Sequence, residues 1–595
     1  MEEGVRYRAA VILLLLGLAP SFSAWSNAAG PSGDTSGFTS TAPLDRDSEY
    51  FISLNPNKAV SGINDYFGVG FTGSELAQPV SHVHVMKRLA TGGVGNLHLC
   101  DGVSDTTCQP KDWDGITIFS VIGNCATDIN GGCVKSLSFT LPNGKVIEAK
   151  PLNLIPTGSK GIKGQAPTQG NGAFPAGHST WIWRATGISP GGEEDFLLSG
   201  VITSGGMANT AINGQWSIRP DSFRFEVFPI TRELSPLLKA PVVREYAEQP
   251  SGRINVGIPI QQSCLAVDEG VCFHKGKFVD GVKIKVVMEI PKSISGWLNG
   301  RLKDPVVSVK PLNSSFDQIE IAASPAEDIL GGGYVLKSSV STSDWAWRDL
   351  ITGGSSAKTF AGQMISGQNS FYVGNAGDAG ALEWFKAWES KIGNKALRSS
   401  KAWSIASTRS PSTGACLQQS GGIGGIISTN AAVYEPGAPT MNSSGTTLSY
   451  RVAGPLKDSE GRDLIGVYSM SLANSLLSCL YKVDQIPNQV QIGIVNANGD
   501  RKVQTASLIN KDDWANFSAA GFSYEDASFL EVSIVKQSSS TATPNTASSA
   551  SGSDKPVTGS ANTSSTKSTT IKCVKGKTIV TVKAKKCPTG YSKKS

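Results

Sequence analysis

The sequence predicts a mainly β protein: several antiparallel β-sandwich-like domains with one or two short helices, stapled by disulfides, with a disordered Ser/Thr-rich stalk near the C-terminus. Three observations predict it. Apolar and polar residues alternate with period two in run after run, as in "VKIKVVMEI" (282–290), "FRFEVF" (223–228) and "FLEVSIV" (529–535), the pattern of strands with one face on a core. Gly at 66 and Pro at 30, against only 17% charged residues, favour turns and strands over long helices. Ten cysteines include three pairs separated by seven residues: "CDGVSDTTC" (100–108), "CATDINGGC" (125–133) and "CLAVDEGVC" (264–272).

The elements follow in chain order. Residues 1–29 read as a secretory signal peptide: "MEEGVRYR", then the apolar run "AAVILLLLGLA" (9–19), then small residues. Eleven residues are too few for a bilayer span, which needs about 20. No transmembrane span is expected once the signal is removed. The compartment is then oxidising, and an even cysteine count reads as disulfides. Pairing neighbours joins Cys100 to Cys108, Cys125 to Cys133 and Cys264 to Cys272. Cys416 with Cys479 and Cys573 with Cys587 follow by elimination, although spacing alone leaves the connectivity open. In the chain-entropy account each short loop stabilises by about 2.5 kcal/mol and the long 416–479 loop by about 4 kcal/mol. Structural zinc sites prefer two to four residues between ligands, so the seven-residue spacing argues against thiolate metal binding.

At 595 residues the chain exceeds a single domain. Pro and Ser/Thr punctuation places boundaries near 245 and 405. The resulting segments are a β-rich domain at 30–245 with two C-x7-C loops, a second at 246–405 with a helix near 379–392, and a sandwich-like domain at 406–536. In the helix, Leu382, Phe385, Trp388 and Ile392 share a stripe, Asp378 can cap the start and Gly393 can end it. Asn498-Gly499 and "LPNGK" (141–145) mark hairpin turns. Residues 537–570 are more than half Ser or Thr with few apolar groups. Such a linker cannot bury enough to repay its ordering entropy. Residues 571–595 carry eight lysines and no acid and are expected to form a basic disulfide hairpin. The whole chain is +6, the tail +8 and the linker +1, which leaves 30–536 at −3.

Candidate chemistry is sparse. No H-E-x-x-H, phosphate-loop or calcium-loop pattern occurs, no convincing catalytic signature is found, and no cofactor is expected. His82 and His84 share one strand face, with Val83 and Val85 on the other, and would hold a metal if His98 or a carboxylate joined them; the alternative is a pair on a solvent face. Trp181 with Trp183, and Trp345 with Trp347, form i, i+2 pairs that suit a saccharide platform if exposed and a core if buried. In "SGWLNGRLKDP" (295–305), Arg301 and Asp304 are expected to pair beneath Trp297. Lys572, Lys575, Lys577, Lys583, Lys585 and Lys586 suit an anionic surface such as cell-wall polymer. Nucleic acid is an unsuitable partner, because only Tyr591 interleaves the lysines with an aromatic ring.

Several blocks together, "CATDINGGCVKSLSF", "SGWLNGRLKDP", "LEWFKAWESKIGNKA" and "GGIISTNAAVYEPGAPTM" with "YRVAGP" and "SCLYKV", resemble large secreted proteins of planktonic actinobacteria. The two-cysteine basic tail resembles a C-terminal module of the same proteins. The resemblance implies a place at or beyond the cell surface and brings no enzyme motif. The expected function is therefore secreted or cell-surface and non-catalytic: adhesion, structure or ligand binding, with cell-wall polymers, glycans or other surface proteins as partners. The alternatives are a secreted hydrolase acting on glycans, which needs two carboxyls about 5 Å or 6.5–9.5 Å apart, and an extracellular metal-binding protein built on His82 and His84.

Overall fold

The computed structural model describes residues 66–72, 81–88, 94–127, 132–154, 180–188, 194–234, 245–248, 254–257, 266–268, 271–336, 341, 343, 362–364, 370–373, 381–392, 396, 398–408, 415–420, 422–435, 437–458, 460–484, 490–495, 501–505, 507–524, 529–534, 571–575, 578–582 and 592–593. The chain divides into two compact units, Met1–Gln537 and Ser538–Ser595. The expected signal peptide (1–29) and the Ser/Thr-rich linker (537–570) lie outside the described residues.

The larger unit is mainly β, built largely from antiparallel ladders. Its first core lies between two layers. One layer comprises the strands Cys133–Thr140, Val146–Glu148, Lys283–Pro291, the second half of Gly296–Pro311 and the first half of Phe316–Leu336. The other comprises Trp181–Arg184, Asp195–Met207, Arg219–Leu234, Arg398–Ser407 and the first half of Gly296–Pro311. Leu137, Phe139, Ile284, Val286, Met288 and Ile321 from the first layer meet Phe196, Ile202, Phe225, Trp403 and Ile405 from the second. All are buried, and apolar area removed from water stabilises by roughly 25 cal/mol per Å².

The 16-residue strand Gly296–Pro311 belongs to both layers. Its register shifts between Lys303 and Val306, and Asp304 there takes a left-handed φ of 50°. A bulge of this kind bends a strand and lets it turn a corner between packed sheets.

A second core adjoins the first. Ile423–Thr429 pairs with Gly466–Ala473, which pairs with Trp514–Phe522. This layer faces a separate sheet holding Thr447–Ala453, Phe529–Ile534 and Val490–Val495. Tyr450, Tyr468, Met470, Leu477, Tyr481 and Phe517 fill the space between. The helices Ala415–Ser420 and Asn474–Tyr481 carry Cys416 and Cys479, which form a disulfide.

Ladders cross both expected boundaries. Arg224 pairs with Ala406 and Val227 with Trp403, so strands from 30–245 and from either side of 405 share one ladder. Leu298 lies beside Ile426 in parallel register. Pro and Ser punctuation here marks connections within one continuous sheet system.

Local expectations fare differently. Ile284, Val286, Met288 and Ile290 are buried, while Lys283 and Lys285 are partly exposed, as the alternation requires. In "FRFEVF", however, Glu226 and Phe228 are as buried as Phe225 and Val227, so that strand is covered on both faces. The helix spans Ala381–Ile392 with Leu382 and Phe385 buried. The strands around both predicted Asn-Gly turns pair, at Val495 with Arg501 and at Thr140 with Val146.

In the smaller unit, Ile571–Lys575 is the central strand between Thr578–Val582 and Ser592–Lys593. A third strand therefore joins the expected hairpin.

Candidate functional site

Disulfides join Cys100 to Cys108 and Cys125 to Cys133, in addition to Cys416–Cys479. Cys264 and Cys587 lie outside the described residues, and the side chains of Cys272 and Cys573 are not described.

The Cys100–Cys108 disulfide closes a short loop held by several side-chain hydrogen bonds. Strand Val94–Cys100 delivers the first cysteine, and Cys108 is fully buried against Val83, Val85, Ile116, Ile118, Trp216 and Ile218. Trp216 donates its Nε1 hydrogen to the Cys108 carbonyl at 2.6 Å, tying the loop's end to the core. Inside the loop, Asp105 organises the backbone. Its Oδ2 accepts the Asp101 N–H at 2.8 Å; its Oδ1 accepts the Thr107 N–H at 2.9 Å and the Thr107 hydroxyl at 2.7 Å. Its carbonyl accepts the Cys108 N–H at 3.1 Å and the Gln109 side-chain amide at 2.5 Å. The Thr107 hydroxyl bond, followed by the backbone bonds, holds the Asp105 carboxyl below the ordinary aspartate value. Trp113 donates Nε1–H to the Thr107 carbonyl at 2.8 Å, and its ring lies 5.7 Å from the His98 ring at an interplanar angle of 8°. His98 Nε2 is 3.3 Å from the Thr107 hydroxyl. A stacked His–Trp pair is thus fixed at the rim of a stapled loop, on side chains that remain partly exposed.

The histidine pair is placed otherwise than a solvent-face pair would be. His82 and His84 do share a face of His82–Arg88, but they are largely buried. The two rings are 5.6 Å apart, and the His82 ring lies 4.4 Å from the Phe119 ring, nearly parallel. His84 Nδ1 is sealed from solvent without a hydrogen-bond partner. Burial pushes its pKa down to about 4. His98 cannot join them, because it pairs opposite Val85 and so belongs to the other face. One group of three potential metal ligands occurs among the described residues: Cys125, Cys133 and Glu289. Its two sulfurs are spent on the Cys125–Cys133 disulfide.

Trp183 is buried in the first core and Trp181 packs against that core. Trp183 is therefore core, and Trp181 is left only partly exposed. Trp345 and Trp347 lie outside the described residues.

Arg301 does not pair with Asp304. Asp304 is exposed on the bulge, whereas Arg301 is 1% exposed. The Arg301 guanidinium donates to the carbonyls of Thr429 at 2.9 Å, Ala431, and Ala432 at 3.3 Å, and lies 5.3 Å from the Tyr434 ring centre. Asn430 Oδ1 accepts the Val467 N–H at 2.7 Å and the Tyr524 hydroxyl at 2.5 Å. Tyr434 donates its hydroxyl to Asn299 at 3.2 Å. Trp297 lies flat against Gly425, where an added Cβ would fall 2.4 Å from the indole. The blocks "SGWLNGRLKDP" and "GGIISTNAAVYEPGAPTM" therefore meet in one buried polar clasp between the two cores.

Of the tail lysines, Lys572 and Lys575 belong to the central strand of the small sheet, and their side chains are not described. Lys577, Lys583, Lys585 and Lys586 lie outside the described residues. No described helix is long and apolar enough to cross a membrane.

Asp105, Thr107 and Trp113 were not singled out by the sequence patterns. The available signal was Asp105 two residues before Thr107 within a short cysteine loop, a local side-chain-to-backbone turn. The search of protein families, curated proteins and solved structures finds no match to this chain.

Proposed function

We propose that the protein is a secreted or cell-surface, non-catalytic ligand-binding protein that captures saccharide-bearing surface polymers through the Cys100–Cys108 loop. The observation that carries this reading is the fixed geometry of that loop: a disulfide, three bonds to the Asp105 carboxylate and the Trp113–Thr107 bond hold His98 and Trp113 in place before any ligand arrives. Preorganisation of this kind reduces the ordering cost of binding, and loops on a rigid β scaffold are the usual place for such sites. The Asp105 carboxylate is committed to three donors and held ionised, which suits positioning better than proton transfer. The disulfides and the resemblance of the sequence blocks to secreted proteins support the compartment.

A glycan array probed with the full chain tests the reading. Retention on a defined set of glycans is expected, with loss in Trp113→Ala and His98→Ala. Retention unchanged in both variants would contradict it. Release of reducing sugar from a retained glycan would assign a hydrolase instead.

A further inference from the structure

Cationic side chains converge at the start of strand Asp195–Met207. The Asp195 side chain is 9% exposed, and both of its oxygens are taken. Oδ1 accepts Arg184 Nε–H at 2.7 Å; Oδ2 accepts Arg184 Nη2–H at 2.9 Å and Arg232 Nη2–H at 2.5 Å. Burial pushes the Asp195 carboxyl up, but the two guanidiniums outweigh it and leave the group below its ordinary value.

One bidentate arginine already neutralises a carboxylate, so the second adds positive charge. Lys150 adds more: it sits directly across from Arg184 on strand Lys150–Leu154 and is exposed. Like charges directly opposite one another on a sheet repel. Glu194 also acts on Arg184 and accepts the Gly187 N–H at 2.7 Å; its charge offsets one cation, which leaves three cations against two carboxylates. Among the described residues the cluster is therefore net positive. Arg184 and Arg232 are 41% and 44% exposed, and the N–H groups that Asp195 does not use are available to a ligand. Phe273 backs the Arg232 guanidinium, 5.5 Å away at the ring centre, and is itself buried. Two guanidiniums share one buried anchor, each with its own planar set of donors.

We infer that Arg184 and Arg232, assisted by Lys150, bind an oxyanion group of an acidic polysaccharide, either the carboxylate of a uronic acid or a sulfate ester. The site is separate from the stapled loop. The 13-residue strand Asp195–Met207 lies between them, roughly 40 Å at about 3.3 Å per residue. It does not depend on the loop reading.

The test is retention of the full chain on immobilised polygalacturonate, dextran sulfate and neutral dextran, at low and high salt. Wild-type protein is expected to bind at least one acidic polymer and not dextran. Which acidic polymer it prefers separates carboxylate from sulfate. Arg232→Gln is expected to weaken that binding about tenfold, Lys150→Gln about threefold, and Trp113→Ala not at all. Arg184→Lys keeps the charge and loses the fork, so a loss comparable to that of Arg232→Gln identifies a built site and rules out general attraction to the basic tail. A melting temperature for each variant confirms folding. The inference fails if wild-type protein ignores both acidic polymers, or if Arg232→Gln and Arg184→Lys bind as wild type does.

Discussion

The clasp around Arg301 and the loop around Asp105 use the same kinds of contact for different ends. Each centres on one charged side chain bonded to backbone groups. Arg301 is buried and its partners are carbonyls on the turn after Ile423–Thr429. Asp105 is partly exposed, and its partners are the Asp101 and Thr107 N–H groups and the Thr107 hydroxyl. In low dielectric each Arg301 bond is strong and each missing bond is costly. In water the Asp105 bonds contribute little to global stability, but they restrict the loop to one shape. The difference teaches that location decides whether a polar network holds the fold together or shapes a surface.

Breaking the clasp should have the largest effect. Arg301→Leu leaves the carbonyls of Thr429, Ala431 and Ala432 without their donor, and a loss of about 3–5 kcal/mol in urea unfolding is expected. Removing the staple with Cys100→Ser and Cys108→Ser should cost about 2.5 kcal/mol and abolish glycan retention as well. Gly425→Ala forces Trp297 off its contact and should cost about 1–3 kcal/mol, again read by urea unfolding.

Two pH experiments sharpen the comparison. His84 has a folded pKa of about 4 against 6.5 when exposed, so the unfolded chain takes up its proton first as pH falls. Stability should be intact above pH 6.5 and decline between there and pH 4, by about 1–2 kcal/mol at pH 5. His84→Phe, which retains stacking on Phe119, should remove that slope. Asp105 behaves as a lowered acid: its contribution is present above the ordinary aspartate pKa and is lost only as pH falls through its lower folded value. The Thr107 amide NMR signal should therefore shift at a lower pH than the signals of amides beside an ordinary aspartate.

The fold class was legible because alternation reports burial directly, as in Ile284, Val286, Met288 and Ile290. The helix at Ala381–Ile392 was legible from its apolar stripe. The cysteine spacing pointed to Cys100–Cys108 and Cys125–Cys133 because short loops close at low entropic cost, and Cys416–Cys479 followed by elimination. The continuity of the sheet was not legible. Pairings such as Arg224 with Ala406 join residues far apart in sequence, and local pattern contains no such term. The site was legible only in part. A polar residue reads alike whether it is buried, as His82 and Glu226 are, or partly exposed, as Asp105 is. Trp183 likewise reads as a platform or as core until its neighbours are known.

The most direct test measures glycan-array retention and melting temperature side by side on Asp105→Ala and Arg301→Leu. Division of labour between clasp and loop predicts that Asp105→Ala loses retention while melting within a few degrees of wild type, and that Arg301→Leu melts far earlier. Full retention by Asp105→Ala, or an unchanged melting temperature for Arg301→Leu, would contradict it.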